Sequence, residues 1–259
     1  MTRYWERKVW VGESPMLAAA SLLMGFLIWE FLSRIINSRL ILPSAFDVAG
    51  QLITTTMQGH LLPHIYTSLV RILAGFVAGS LIGAALGIAM GVSGLLRALL
   101  DPLANFFRFI PPICWISPFL IWFGIGETPK VLIITYTVTF MVLLSTYAGV
   151  RAIPRNRIRA ARCFGAGPLF LFFRVVLPSV IRDIRGGMRI ALGNAFATVV
   201  TAEMIAAQTG LGFIILTSRN FGATDQIILA MICLGACGFV SDRAFDVASR
   251  GAFANYLRS

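Results

Sequence analysis

The sequence predicts an all-α, polytopic membrane protein with about six transmembrane helices. Three observations carry that prediction. The 259 residues are 58% hydrophobic and 13% charged, where a soluble domain carries about 25% charged residues. Six apolar segments approach the roughly 20 residues that a helix needs to cross a bilayer. The net charge of +11 collects in a few short connections between those segments. That distribution is a topological signal and not the footprint of a nucleic-acid binder.

The first span runs from about Pro15 to Ile36, with Glu30 and Arg34 spaced to pair near its far end. The segment ahead of it mixes acids with bases, and the span lacks a small-residue cleavage site. It therefore reads as an uncleaved first span and not a signal peptide. The next thirty residues or so (Asn37 to Tyr66) are too polar to cross. They predict an extended Leu-Pro-Ser stretch and then a short amphipathic helix on the outer surface.

The second span covers about Thr67 to Val92, the third about Leu100 to Gly124, and the fourth the uncharged interval between Lys130 and Arg151. The fifth, about Ile184 to Ala207, contains Glu203, and the sixth runs from about Asp225 to Phe245. Lys and Arg favour the cytoplasmic side. Arg3, Arg7 and Lys8, the loop from Arg151 to Arg182, and the tail with Arg243, Arg250 and Arg258 carry most of the bases. With six spans, these regions fall on one side, and both termini are cytoplasmic. Attraction to anionic membrane lipid follows as a by-product.

Within the spans, Gly75, Gly79, Gly83, Gly87 and Gly91 recur every fourth residue. Each step of four turns a helix by about 400°, so the row drifts slowly around the surface. Such a ridge lets a neighbouring backbone approach closely. It serves packing, or a surface on which helices slide. Pro102, Pro111, Pro112 and Pro118 rule out a single straight third helix. Broken backbone at that depth needs protein or a water-filled cavity around it.

Arg108 lies in this region, either at the cytoplasmic interface or facing a polar pathway. Glu203 is the other intramembrane charge, and such a charge points to a functional or pairing role. Glu203 with the adjoining Met204, Arg108 and Trp115 are the candidate pathway residues, and Arg108 is a candidate partner for Glu203. Trp115, Phe119 and Trp122 suit an apolar moiety or ordinary packing. No catalytic residue is expected, because there is no G-x-x-x-x-G-K-[ST] loop, H-E-x-x-H or G-x-S-x-G. The chain is therefore not expected to hydrolyse ATP. His60 and His64 share i,i+4 spacing, but Pro63 and the lack of a third ligand argue against a metal. Cys114, Cys163, Cys233 and Cys237 form neither a C-x-x-C nor a paired framework. Six spans with both ends inside look like half of a two-part pore, which implies a homodimer.

The stretch from Arg159 to Pro178 is the most informative. Ala160 and Ala161 are small enough for a partner surface to come close. Gly165 can turn the chain sharply, and Gly167-Pro168 suits a second helix start. Leu177-Pro178 is expected to end that helix. Arg159-Ala160-Ala161, Gly165, Val175 and Leu177-Pro178 follow the Glu-Ala-Ala, Gly, Ile, Leu-Pro spacing of a loop in ABC importer permeases of the binding-protein-dependent type. The chain resembles their nitrate/sulfonate/taurine branch. The segments from Pro111 to Ile133, Gly186 to Phe213 and Phe221 to Ile232 extend the similarity, which covers most of the chain from about Leu42.

The resemblance implies a type I ABC importer permease fold: one permease domain over 1–259, with a cytoplasmic coupling loop at 151–182. It implies alternating-access transport with two cytoplasmic ABC ATPases that carry the ATP and Mg²⁺, and with an external or periplasmic solute-binding protein. It implies a prokaryotic plasma membrane, the inner membrane in a Gram-negative cell. The expected cargo is a small organic anion, taurine or another sulfonate, with nitrate, bicarbonate, an aromatic acid or a vitamin precursor as alternatives. Arg159 departs from the motif's Glu, so a salt bridge from that position to the ATPase is not expected. On the residues alone, a basic interfacial loop that only anchors topology remains open. So does an ATP-independent channel or proton-coupled carrier using Glu203 and Arg108. An intramembrane enzyme lacks any nucleophile–base or metal constellation.

Overall fold

The computed structural model describes residues 15–252; Arg3, Arg7, Lys8 and Arg258 lie outside the described residues. Among the described residues no strand occurs. Five helices are long and apolar enough to cross a membrane, six if one pair bent by 94° counts as a single span. The chain groups into two compact units, the chain up to Leu61 with Ile215–Met231, and Leu62–Ile214 with the chain from Ile232 onward.

In the first unit, α1 (Pro15–Ile36) is the expected first span. Its apolar side chains are almost all exposed, as suits a helix facing lipid. Its end is polar and local: Arg34 Nε meets Glu30 Oε1 at 3.1 Å, and Asn37 closes the helix with φ +46°. Trp29 Nε1 then donates to Pro43 O at 3.1 Å and Ser33 Oγ to Leu42 O at 3.0 Å, which holds the Leu-Pro-Ser stretch against α1. The expected amphipathic helix follows as α2 (Ala45–Met57), opened by Ser44 and Asp47 in a reciprocal capping box.

The second unit is organised around α6. In order, it contains α3 (Leu61–Val92), whose first residue falls in the first unit, then α4 (Gly94–Phe107), a 3₁₀ turn (Pro112–Trp115), α5 (Ile116–Phe123) and α6 (Glu127–Ala152). Then come α7 (Arg155–Cys163), α8 (Pro168–Leu171), a π turn (Phe172–Val176) and α9 (Leu177–Ala206). The last two helices, α10 (Leu211–Asn220) and α11 (Thr224–Ala252), run across the boundary between the units.

All five ridge glycines of α3 face α6. A Cβ on Gly75 would sit 2.6 Å from Ile134, on Gly79 2.7 Å from Thr135 O, on Gly87 2.6 Å from Leu143 O and on Gly91 2.5 Å from Val150. On its other side α6 packs on α9: Ile134, Val138 and Val142 meet Ala191, Leu192, Ala195, Phe196 and Val199, and Ile72 and Phe76 of α3 close the cluster. Lipid tails are as apolar as these side chains, so close van der Waals contact holds such helices together.

The proline-rich third span is broken as expected, at the 94° bend between Gly94–Phe107 and Pro112–Phe123. Pro111 and Pro112 cannot donate, and each disfavours helix in the residue before it. Tyr136 of α6 covers the break, its hydroxyl donating to Phe107 O and, at 3.3 Å, to Ile110 O.

Leu177-Pro178 does not end a helix. Helical structure continues from Pro168 to Ala206, 39 residues. The π turn delivers the Leu177 N–H to Phe172 O, and Pro178 falls in the first turn of α9, where a missing donor is tolerated. At 1.5 Å per residue that path is roughly 58 Å long, about twice the hydrocarbon thickness.

The ridge gives a direct expectation. Gly83→Val places a Cβ 2.5 Å from Thr139 O and 3.0 Å from Leu143 N, both backbone atoms that cannot rotate away. It should cost about 1–3 kcal/mol, read as a lower unfolding midpoint in detergent. Gly25→Ala on α1 meets nothing within 4 Å and should leave the midpoint unchanged.

Candidate functional site

Three features of the second unit carry chemistry: a buried ionic cluster, a cavity, and a projecting knuckle. The cluster forms where α3 and α6 begin and α9 ends. Glu203 is 0% exposed and Arg71 2%. The Glu203 carboxylate accepts from Ser68 Oγ at 2.8 and 2.9 Å, Arg71 Nη1 at 2.7 Å and Gly212 N at 2.9 Å. Ser68 Oγ accepts in turn from Leu211 N at 2.9 Å.

Arg71 forks onto Glu127, with Nε to Oε2 at 2.5 Å and Nη2 to Oε1 at 2.7 Å. Its remaining protons reach Thr209 O at 2.6 Å and Thr209 Oγ1 at 3.2 Å. Lys130 Nζ adds a bond to Glu127 Oε1 at 3.0 Å. Two cations and two carboxylates make the cluster neutral, and all five guanidinium donors have an acceptor. Those are the conditions under which ionised groups are tolerated at membrane depth.

The chain after α9 is shaped to wrap the carboxylate. Gly210 has φ +122°, and a Cβ there would overlap the Glu203 carboxyl group. Gly210 N donates to His64 Nδ1 at 2.9 Å, and the His64 ring stacks on Phe213. His64 is therefore engaged with the backbone of this loop, while His60 is exposed.

The pairing of Glu203 with Arg108 is corrected by these contacts: the partner is Arg71. Arg108 caps α4, lies exposed, and sits over the Phe109 ring at 4.6 Å. It lines a cavity of about 480 Å³ together with residues of α6 and α9, among them Tyr136, Thr137, Asn194, Thr198 and Thr201. Arg108 is the one charged side chain in that lining. Glu203, Met204 and Trp115 do not line it. Trp115 instead stacks on Phe119, with ring centroids 5.6 Å apart. Arg71, Ser68 and Glu127 are the members that a hydropathy scan passes over. The signal for the cavity is the i, i+4, i+7 row of Asn194, Thr198 and Thr201, a polar stripe along an otherwise apolar span.

The knuckle is built from α7, α8 and the turn between them. Phe164 caps α7, and Gly165 follows at φ +78°. Gly165 N bonds Arg162 O at 2.9 Å and Ala166 N bonds Ala161 O at 3.1 Å, a Schellman closure that a β-carbon would strain. Gly167 then caps Pro168. Arg159, Ala160, Gly165 and Gly167 are exposed, Ala161 is partly covered, and Leu177 and Pro178 are half-buried. Phe164 (91%), Leu169, Phe170 and Phe173 are exposed. At the base of the knuckle Val150, Ile153, Val176 and Val180 form a small core, against which Ile158 of α7 and Leu171 of α8 pack.

The helical framework matches that of a solved inward-facing MetNI methionine ABC transporter, with a TM-score of 0.67 at 19% identity over 74% of this chain and 95% of that one. The fold is thus that of a type I ABC importer permease. A family described as "Binding-protein-dependent transport system inner membrane component" matches residues 75–252. A probable ABC transporter permease protein of Brucella melitensis is 35% identical over 222 residues, 86% of this chain and 89% of the relative. The taurine transport system permease protein of Escherichia coli is 35% identical over 217 residues, 82% of this chain and 79% of the relative. The chain belongs to this family of binding-protein-dependent importer components, as a multi-pass transport subunit.

The cluster predicts a non-additive result. Glu203→Gln leaves Glu127 to answer both Arg71 and Lys130, one positive charge in excess, and should cost about 3 kcal/mol. The double variant Arg71→Met/Glu203→Met should cost less than the sum of its single changes, as read from denaturant unfolding of the purified protein in detergent.

Proposed function

We propose that this chain is the pore-forming subunit of an ATP-driven importer for a small organic anion, taurine or another sulfonate. Two copies form the pore in a prokaryotic plasma membrane, the inner membrane in a Gram-negative cell, with both termini cytoplasmic. An external or periplasmic solute-binding protein delivers the cargo. Two cytoplasmic ABC ATPases hold the ATP and Mg²⁺, and this chain binds neither. Nucleotide-driven closure of those subunits is passed to the knuckle and switches the pore between inward-open and outward-open states. The chain's contribution is a bistable arrangement whose two states the motor biases unequally.

The observation that carries this reading is the knuckle. The family-like spacing from Arg159 to Pro178 coincides with a helix–turn–helix whose tip exposes Phe164, Leu169 and Phe170. An apolar tip held on a packed base is suited to a cleft in another protein. The tip runs directly into the helical path to Ala206, so a displacement there reaches the apolar interior. Arg159 stands where the family loop has an acid, so docking rests on the apolar tip and on acids supplied by the partner. The taurine permease of Escherichia coli supports the choice of cargo, as does the unpaired cation of the cavity.

The test is uptake of labelled taurine into vesicles holding the permease, its ATPase and its solute-binding protein. Gly165→Leu forces a left-handed backbone on a β-carbon, at about 1–2 kcal/mol. It should reduce ATP-driven uptake at least tenfold while the permease remains folded. Full uptake by this variant, or equal uptake without the ATPase, would exclude the coupling role.

A further inference from the structure

The cavity between α6 and α9 holds one charged group among apolar walls and several hydroxyls. Arg108 makes no ion pair among the described residues, and no carboxylate lines the cavity. A guanidinium with an aromatic neighbour but no acid beside it is open to an anion, since its planar fork matches a sulfonate or carboxylate.

The other polar groups have a shared property. Thr137 Oγ1 donates to Ile133 O at 3.0 Å, and Thr201 Oγ1 to Ala197 O at 3.3 Å. Thr198 Oγ1 has Asn194 O at 2.9 Å and Thr137 Oγ1 at 3.2 Å as acceptors for its one proton. Asn194 Nδ2 donates to Ile190 O at 3.1 Å. The threonine protons are thus taken up within the two helices, by their own backbone or by the facing threonine, a pattern open to Ser and Thr in helices, and Asn194 keeps one amide proton. What the threonines can still offer is lone pairs, and Asn194 keeps its carbonyl oxygen. Four side-chain oxygens with at most one amide proton free between them suit a cation-bearing donor better than a second anionic oxygen.

We infer that this cavity is a solute station within the permease and that it takes a short organic zwitterion. The anionic head lies on Arg108, and the ammonium lies on the oxygens of Thr137, Asn194, Thr198 and Thr201. The inference rests on the import reading for the sulfonate end and narrows it: an aminosulfonate such as taurine is accepted, and a plain alkanesulfonate or nitrate satisfies only half the site. Selectivity then resides partly in the membrane subunit as well as in the solute-binding protein.

The test is equilibrium binding to the full-length permease alone in lipid nanodiscs, by calorimetry. The probes are taurine, ethanesulfonate and ethylammonium. Taurine should bind at least tenfold more tightly than either one-ended probe. Arg108→Gln should weaken taurine and ethanesulfonate alike, by tenfold or more. Thr198→Val and, independently, Asn194→Leu should lower the taurine-to-ethanesulfonate preference at least fivefold, in samples whose thermal unfolding is unchanged. Equal affinity for taurine and ethanesulfonate would overturn the ammonium half. No saturable binding to the permease, while the assembled transporter imports taurine with ATP, would overturn the station and leave the import reading intact. If the assembled transporter imports no sulfonate, the import reading fails, and the nanodisc measurement still decides the cavity.

Discussion

The second unit depends on one buried ion pair, Arg71 with Glu203, 132 residues apart in the chain. A carboxylate with no exposure is costly in a bilayer unless both oxygens are hydrogen-bonded and its charge is answered. Here both are, by a guanidinium, a serine hydroxyl and a backbone N–H. The same guanidinium grips Glu127 at the start of α6 and Thr209 in the loop after α9. One side chain thereby fixes where three long helices lie at a shared end. Buried pairs of this kind add little net stability compared with an apolar replacement, but they penalise misregister heavily. A one-residue rotation of α9 would strand two charges together.

From that fixed end, α6 runs 26 residues to the base of the knuckle, roughly 39 Å of helix. On the α3 side it is closely held, because Gly79, Gly83 and Gly87 bring its backbone oxygens within 2.5–2.7 Å of where a Cβ would stand. On the α9 side the packing is similarly close: a Cβ on Gly187 would meet Ser145 at 2.5 Å. Farther along, α9 is tied to α11 by Arg189 to Asp242 at 2.7 Å and by Arg185 to Asp246. The cavity occupies the middle of this arrangement. Its walls come from helices pinned at one end and joined through the knuckle at the other. In the proposed importer, a force at the knuckle reaches the cavity through packed elements that do not stretch.

How much was legible in the sequence varies with the physics behind each element. The bounds of α1 follow from apolar length alone, because a lipid-facing helix ends where the polar residues begin. The ridge was legible because only small side chains allow such an approach, so the spacing itself carries the contact. The break in the third span followed from prolines that cannot donate. The helix that carries the second span starts at Leu61, ahead of the expected span start near Thr67. A hydropathy scan sees Arg71 only as a charge near the end of an apolar run, and its neutralising partners come from distant parts of the chain. Pairing Glu203 with Arg108 erred for a related reason. Opposite charges can be counted along a chain, but which of them meet is set by helix packing. The stop assigned to Leu177-Pro178 failed because a π turn supplies one extra residue, which moves the proline to a position where its missing N–H costs little.

That π turn has a consequence for how the knuckle and the interior are joined. Had the chain ended its helix at Leu177-Pro178, a flexible linker would separate the two, and movement of α7 would be lost in it. A regular α-helix through Pro178 would instead lose a hydrogen bond and clash with the preceding turn. The widened turn avoids both outcomes and keeps the path helical from Pro168 onward. It also lies directly against the knuckle core, since Val176 packs with Val150, Ile153 and Val180. The irregular point of the long helix is thus the point at which α6, α7 and α9 share side chains. Packed interfaces shift between discrete arrangements more readily than they deform. In the proposed importer, a change of packing around Val176 would move the apolar tip and the wall of the cavity together, which is the property a mechanically driven pore requires.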